Sequence, residues 1–228
     1  TVRKKCGDSQ SMMLWDDDLM KSENSSRHLL GFDSVYKNKA LALASRLREE
    51  FPNVYIEAFN EDWTEDSKNN KKIAEADIIV SCTAHWNTEQ QLIKRQSEDI
   101  LGAIVFAFVE AHAMAGHVIV NQVDSNAFNS WHITEGKNIG ACAGEFQPYG
   151  AIPLTNLHAL TARTVIDLIM DRFSNKSFAY SYIGREAELL ELGGNWNDKW
   201  IAQFGNPGKG DCIIPLIFEN SNWEKSDA

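Results

Sequence analysis

Short apolar runs alternate along this chain with segments whose apolar residues recur at helical spacing. Met12-Met13-Leu14-Trp15 stops abruptly at Asp16-Asp17-Asp18, which predicts a buried strand with acids at its C-terminal end. From Asn38 to Glu50 the residues Ala40, Leu43, Ala44 and Leu47 mark one helical face, and Pro52-Asn53 closes that segment before a strand over Val54 to Phe59. The pattern then repeats. A polar stretch around Asp66 to Lys72 leads to a strand over Asp77 to Cys82, a helix around Thr88 to Gln96, and apolar strands over Ala103 to Val109 and Gly116 to Val120.

Continuous apolar strands separated by helices imply an α/β fold with a mostly parallel sheet covered on both faces. Asn121 to Gly150 is polar, rich in Asn and Gly, and too long for an ordinary connection, so it is expected to be a functional loop. After Pro153 a helix is predicted, capped by Thr155 or Asn156, with Leu157, Leu160, Val165, Leu168 and Ile169 on its buried face. Phe178 to Ile183 and Glu188 to Leu192 read as a late hairpin, followed by Gly-rich turns around Asn206 to Gly210.

The 228 residues are 43% hydrophobic and 24% charged, enough to bury a core. A net charge of −10 argues against a general nucleic-acid or anionic-membrane surface, since both need clustered cations. No apolar run reaches bilayer length and none follows Thr1-Val2-Arg3-Lys4-Lys5, so a cytoplasmic protein is expected. Cys6, Cys82, Cys142 and Cys212 form no CxxC pair, and each is weighed as a single thiol. Cys82, inside a predicted strand, reads as packing. The spacing of His112 and His117, with Glu110, does not put two imidazoles on one helical face, so a structural role outweighs a metal site. Among the seven tryptophans, Trp131, Trp196 and Trp200 read as core or interface anchors, because no basic stripe accompanies them.

An acid at the end of a strand in a doubly wound sheet is placed to accept both ribose hydroxyl protons of a nucleotide, and Asp16 fits that role. Alone, three aspartates after a strand also describe a solvated turn. The stretch from Trp15 to Val54 resembles the signature that follows the second strand in ThiF, MoeB, HesA and the eukaryotic ubiquitin-activating enzymes. That family reads D-x-D, then N-x-x-R-Q, then G-x-x-K-A leading into a helix. Asp16, Asp18, Asn24, Arg27 and Lys39 occupy matching places, with His28 where Gln is usual and Tyr36 where Gly is usual.

The resemblance implies a Rossmann-like adenylation domain in which Asp16 and Asp18 face the nucleotide, Asp16 holds the ribose, and Asn24, Arg27 and Lys39 surround the triphosphate of ATP. Such groups suit attack of a carboxylate on the α-phosphate, which builds negative charge that fixed cations and amide donors stabilise. The family's G-x-G-x-x-G loop precedes this strand and is missing here, so the chain is expected to be a fragment that begins after the first strand, a lineage that has lost the loop being the alternative. Magnesium is a second expected ligand, but Ser81-Cys82-Thr83-Ala84 stands where the family reads D-C-T-D, so either Asp18 or an upstream residue serves or the adenylation site is impaired.

The later segments from Val109 to Val120 and from Ala141 to Leu154 resemble bacterial members fused to a conjugating-enzyme-like domain, including those of antiphage operons. This implies thioester transfer to a cysteine, and Cys142, among small residues in the long loop, is the candidate nucleophile. A buried, inert thiol is the alternative for Cys142. The implied partners are a substrate protein with a free C-terminal tail, a conjugating-like domain, and a second copy in a homodimer. Residues 1–120 would then be the nucleotide-binding part, 121–150 the cysteine-bearing crossover loop, and 151–228 a small extension completing the domain. An NAD-dependent dehydrogenase using Asp16, or a non-catalytic dimerisation module of the same fold, are the competing readings.

Overall fold

The computed structural model describes residues 11–26, 28–63, 72–74, 76–83, 85–99, 102–110, 113–123, 125–131, 151–172, 176–191, 193–208 and 210–226. Arg27, Ala84, His112, Cys6 and Cys142 lie outside the described residues. The chain divides into two compact units, residues 1–80 with 90–103, and residues 81–89 with 104–228.

In the first unit, β1 (Ser11–Trp15) pairs in parallel with β2 (Tyr55–Phe59), Trp15 opposite Phe59. A parallel pair cannot be closed by a tight turn, and the crossover is α1 (Lys39–Glu50). Ala40 and Ala44 are the buried positions of α1, one helical turn apart; with only methyl groups facing inward the helix can lie close to the strands. Arg48 in its last turn donates from Nε and Nη2 to the carbonyl of Ile56, at 3.1 and 2.7 Å, which fixes α1 to the middle of β2. Trp15 and Phe59 stack with centroids 4.8 Å apart, and the Lys72 ammonium lies 4.4 Å over the Phe59 ring while pairing with Glu57 at 3.0 Å. β3 (Ile78–Ser81) and α2 (Trp86–Asp99) follow at the expected places.

In the second unit, β4 (Ala103–Val109), β5 (Ala115–Asn121), β6 (Phe178–Ile183), β7 (Cys212–Glu219) and β8 (Asn222–Lys225) lie side by side in that order, each antiparallel to the next. The fold is α/β and Rossmann-like, with its parallel pairing in the first unit. The sheet of the second unit is antiparallel rather than mostly parallel as expected; for β4 and β5 the reason is the short segment from Glu110 to Met114, too little chain for a parallel crossover. Every residue of β5 and of β6 is buried, as the continuous apolar runs anticipate. Asn220 and Ser221 both have positive φ, 49° and 64°, giving β7 and β8 the kind of turn whose twist suits a hairpin.

Two expected elements take another form. The strand expected from Glu188 onward is a helix over its described residues: α4 spans Glu186–Glu191, a run of Ala, Glu and Leu with high helix propensity. The long helix, α3, spans Ala151–Ile169, so Thr155 and Asn156 lie inside it rather than capping it, and Pro153 sits in its first turn, where a missing N–H costs nothing. Its buried face runs through Leu154, Leu157, Leu160, Thr164 and Asp167, whereas Val165, Leu168 and Ile169 are only half-buried. The Asp167 carboxylate is tolerated inside because Arg172 donates to it at 2.7 Å and the Tyr180 hydroxyl at 3.4 Å. A last helix, α5 (Asp198–Phe204), is capped by Asn197, whose side chain accepts from the amides of Lys199 and Trp200.

Candidate functional site

The acids after β1 and the first residues of α1 come together. The chain leaves β1 at Asp16, whose amide still donates to the Phe59 carbonyl at 3.3 Å, and turns so that the Asp16 carboxylate accepts from the Asp18 amide at 2.9 Å. Met20 donates to the carbonyl of Lys37 at 2.8 Å and Tyr36 donates to that of Met20 at 2.8 Å, while Leu19 bridges to Asn38. Residues 18–20 and 36–39 are thereby laid against each other, and Lys39 arrives beside the acids.

Lys39 is bonded there twice. Its amide donates to the Asp18 carbonyl at 3.0 Å and its ammonium to Asp18 Oδ2 at 2.7 Å. The Lys39 side chain is 19% exposed and that of Asp18 64%, so the cation is shielded on one side while its partner faces solvent. Asp16 is half-buried, and burial raises its carboxyl above the ordinary carboxylate value; the Asp18 amide and the Lys39 charge oppose that rise, and the Asp18 and Asp17 charges add to it.

Asn24 lies in a 3₁₀ turn over Ser22–Asn24 and spends its side-chain oxygen on the Lys21 amide at 3.1 Å, while its carbonyl accepts from the His28 amide at 2.9 Å. His28, at the usual glutamine position, accepts from the Leu30 amide through Nδ1 at 3.1 Å. Tyr36, at the usual glycine position, has φ of 68°, in the left-handed region that favours glycine, and its side chain is 84% exposed.

Sequence reading missed Asn38 and Asn60 as members of this cluster. The Asn38 side chain caps α1 by accepting from the Leu41 amide at 2.9 Å, and it donates to the Asp16 carbonyl and to Asn60 Oδ1, each at 2.7 Å. The cap was recognisable as an Asn directly before a helical run; its link to Asn60, just past β2, has no local signal.

For magnesium, no three His, Cys, Asp or Glu side chains gather among the described residues, and the Asp18 carboxylate is engaged by Lys39. Cys82 lies just after β3 rather than inside the strand as expected; its residue surface is exposed, yet the protein crowded around its thiol, with the Glu89 charge, pushes that thiol up to about 11. Ser81 and Thr83 beside it share a hydroxyl contact of 3.3 Å.

In the second unit, His117 is buried, with Nδ1 2.8 Å from the Ser181 hydroxyl, Nε2 3.4 Å from Glu110, and the rings of Phe108, Trp131 and Trp200 around it. It is a packed, satisfied core histidine, and Trp131 and Trp200 are core residues as expected. A cavity of about 620 Å³ lies between α4 and α5, lined by Glu186, Leu189, Leu190, Trp196, Asp198 and Ile201 among others; apart from the expected anchor Trp196 it holds none of the residues singled out in the sequence. Among the described residues no helix is long and apolar enough to cross a membrane.

The model of the ThiF family matches residues 6–179. Among solved structures, Escherichia coli MccB with ATP is similar at 18% identity and a TM-score of 0.56, over 74% of this chain and 52% of that one. MccB with AMPCPP and MccA matches at 20% identity and a TM-score of 0.54, over 73% and 52%. PaaA matches at 15% identity and a TM-score of 0.58, over 75% of this chain and 60% of PaaA. The chain thus spans about half to three fifths of the length of these structures. No curated protein matches.

Proposed function

Because this chain belongs to the ThiF family, we propose that it forms the nucleotide site of an enzyme that adenylates a substrate carboxylate with ATP. The observation that carries this reading is the joining of Asp16, Asp18 and Lys39 into one cluster at the end of β1 and the start of α1. Asp16 accepts the ribose hydroxyl protons, as an acid at that strand end does in a doubly wound sheet. Its raised carboxyl reflects a charge held partly out of water, where hydrogen bonds to it are stronger. Lys39, with Arg27 and Asn24, meets the phosphates. MccB has been crystallised with ATP and with AMPCPP and MccA, which supports a nucleotide and a second substrate for this chain as well.

The reaction balances simply. A carboxylate oxygen of the substrate protein's C-terminus attacks the α-phosphorus, the bond to the β-phosphate oxygen breaks, and pyrophosphate leaves while the acyl-adenylate forms. The protein's part is to hold the triphosphate in line and to offset the charge that builds on the phosphoryl oxygens. A lysine and an arginine differ usefully here, since Arg27 brings a planar fork and Lys39 a point charge. In the fuller reading, the Cys142 thiolate then attacks the acyl carbon and displaces AMP, giving a thioester that passes to a conjugating-like partner in a bacterial ubiquitin-like or antiphage pathway, the enzyme acting as a homodimer with magnesium on the nucleotide.

The test is isotope exchange between pyrophosphate and ATP, catalysed by the full-length protein supplied with proteins that end in an unblocked flexible tail. Exchange that disappears in Asp16→Ala, Arg27→Ala and Lys39→Ala is the expected result. Undiminished exchange in all three would refute the assignment. For the second step, a thiol-cleavable adduct that persists in Cys142→Ala would remove Cys142 from the mechanism.

A further inference from the structure

Asn38 is 7% exposed, and its side chain is used at both ends. Oδ1 accepts from the Leu41 amide at 2.9 Å. Nδ2 has two hydrogens and three acceptors within reach: the Asp16 carbonyl and Asn60 Oδ1 at 2.7 Å, and the Asp18 carbonyl at 3.2 Å. One carboxamide thus ties the end of β1, the start of α1 and the residue after β2. The Asp18 carbonyl it reaches also receives the Lys39 amide.

Capping alone does not require this residue type. Ser, Thr and Asp start a helix about as well as Asn, because the cap needs only an acceptor. What only a carboxamide of this length supplies is that acceptor together with two donated hydrogens on the opposite side. The two short donated bonds hold the Asp16 carbonyl and Asn60, with the Asp18 carbonyl a longer third contact, and with them the direction in which the Asp16 carboxylate leaves the backbone.

We propose that Asn38, with Asn60 as its anchor, is a positioning residue for the nucleotide site: it holds Asp16 and Lys39 in one preformed arrangement through the backbone rather than by touching the ligand. The inference rests on the adenylation reading above. It follows from the chemistry of preorganisation, in which a catalytic or binding group gains from being held in place before the ligand arrives, and a displacement of about an ångström is costly.

The experiment is calorimetric titration of the full-length protein with ATP, comparing wild type, Asn38→Ser and Asn60→Ala. Serine keeps an uncharged cap for α1 but cannot span both carbonyls; alanine at 60 leaves the cap intact and removes only the anchor. Expected is a dissociation constant raised about tenfold in Asn38→Ser and about threefold in Asn60→Ala, at full binding stoichiometry and unchanged helix content. Wild-type affinity with a reduced number of sites in Asn38→Ser would mean that the residue only stabilises the fold, and would overturn the proposal. So would wild-type affinity at full stoichiometry in both variants. If Asn38→Ser does not fold, Asn60→Ala decides alone, by the same criterion. A wild-type protein that does not bind ATP overturns the adenylation reading and this inference together, whereas ATP binding indifferent to both variants overturns this inference only.

Discussion

Replacing Tyr36 with glycine should stabilise the protein, although it removes a large aromatic side chain. At φ of 68° the Tyr36 backbone is left-handed, where an L-residue's Cβ crowds the following carbonyl at a cost of about 1–2 kcal/mol. The conformation is imposed from outside, by the Tyr36 amide's bond to the Met20 carbonyl and by the bridge between Leu19 and Asn38 on the next turn of chain. Since the side chain is 84% exposed, its removal forfeits little buried area. Glycine adds its own cost, roughly 0.5–1 kcal/mol of extra chain entropy lost on folding. The difference leaves a net gain of about 0.5–1 kcal/mol, which for a chain of this size raises Tm by about 1–4 °C. Scanning calorimetry of Tyr36→Gly beside Tyr36→Val measures it, the β-branched variant being expected to fall below wild type. A glycine variant that melts lower than wild type by more than 1 °C would refute the reasoning, because it would mean that the exposed ring contributes more than the backbone conformation costs.

The raised carboxyl of Asp16 predicts a pH-dependent trade between stability and binding. A carboxyl whose folded pKa lies above its unfolded value favours the fold while protonated, and this contribution is lost as pH rises from about 3.8 through the folded value. Asp16→Asn should therefore melt higher than wild type at pH 7, by a margin that shrinks as pH is lowered toward 3.8; a margin that grows on acidification would contradict the sign. In the second unit, His117→Phe keeps the aromatic packing but leaves the buried Ser181 hydroxyl without its ring partner, at a cost of about 1–3 kcal/mol. Urea midpoints measure this, and adding Ser181→Ala should restore most of the loss; an additive pair would show that the contact carries no energy.

The parts of the fold that a reader of the sequence could find are those with local signals. β1, α1 and β2 stand out because an apolar run, a helical period with an Asn before it, and a second apolar run succeed one another within a single crossover. Asp16 and Lys39 were recognisable by position in a motif. Their union through Asn38 and Asn60 was not, because it depends on residues that are far apart in the chain meeting across a parallel pair. β7 carries a weaker signal, because Pro215 lies inside its apolar run and proline argues against a strand with neighbours on both sides; here the Pro215 carbonyl still accepts from the Ser226 amide at 3.0 Å. α4 was misread although its composition favoured a helix, since a short apolar pair such as Leu189-Leu190 fits either period. The apolar run reads as a strand one residue too long at each end, which takes in Cys82 just past Ser81.

The ion pair between Lys39 and Asp18 has a consequence for how affinity at this site should be understood. An anion arriving at Lys39 does not meet a bare charge; it meets one already neutralised by a carboxylate on the same chain, at 2.7 Å. On the adenylation reading the incoming phosphate shares or takes that place, since the ammonium has three hydrogens and Asp18 already faces the solvent into which it would retreat. The resident carboxylate thus behaves as a tethered competitor, present at a fixed local concentration whatever the ligand's own. A partly exposed pair of this kind is worth at most about 1 kcal/mol, so on the adenylation reading Asp18 lowers the affinity of an incoming phosphate by no more than about fivefold.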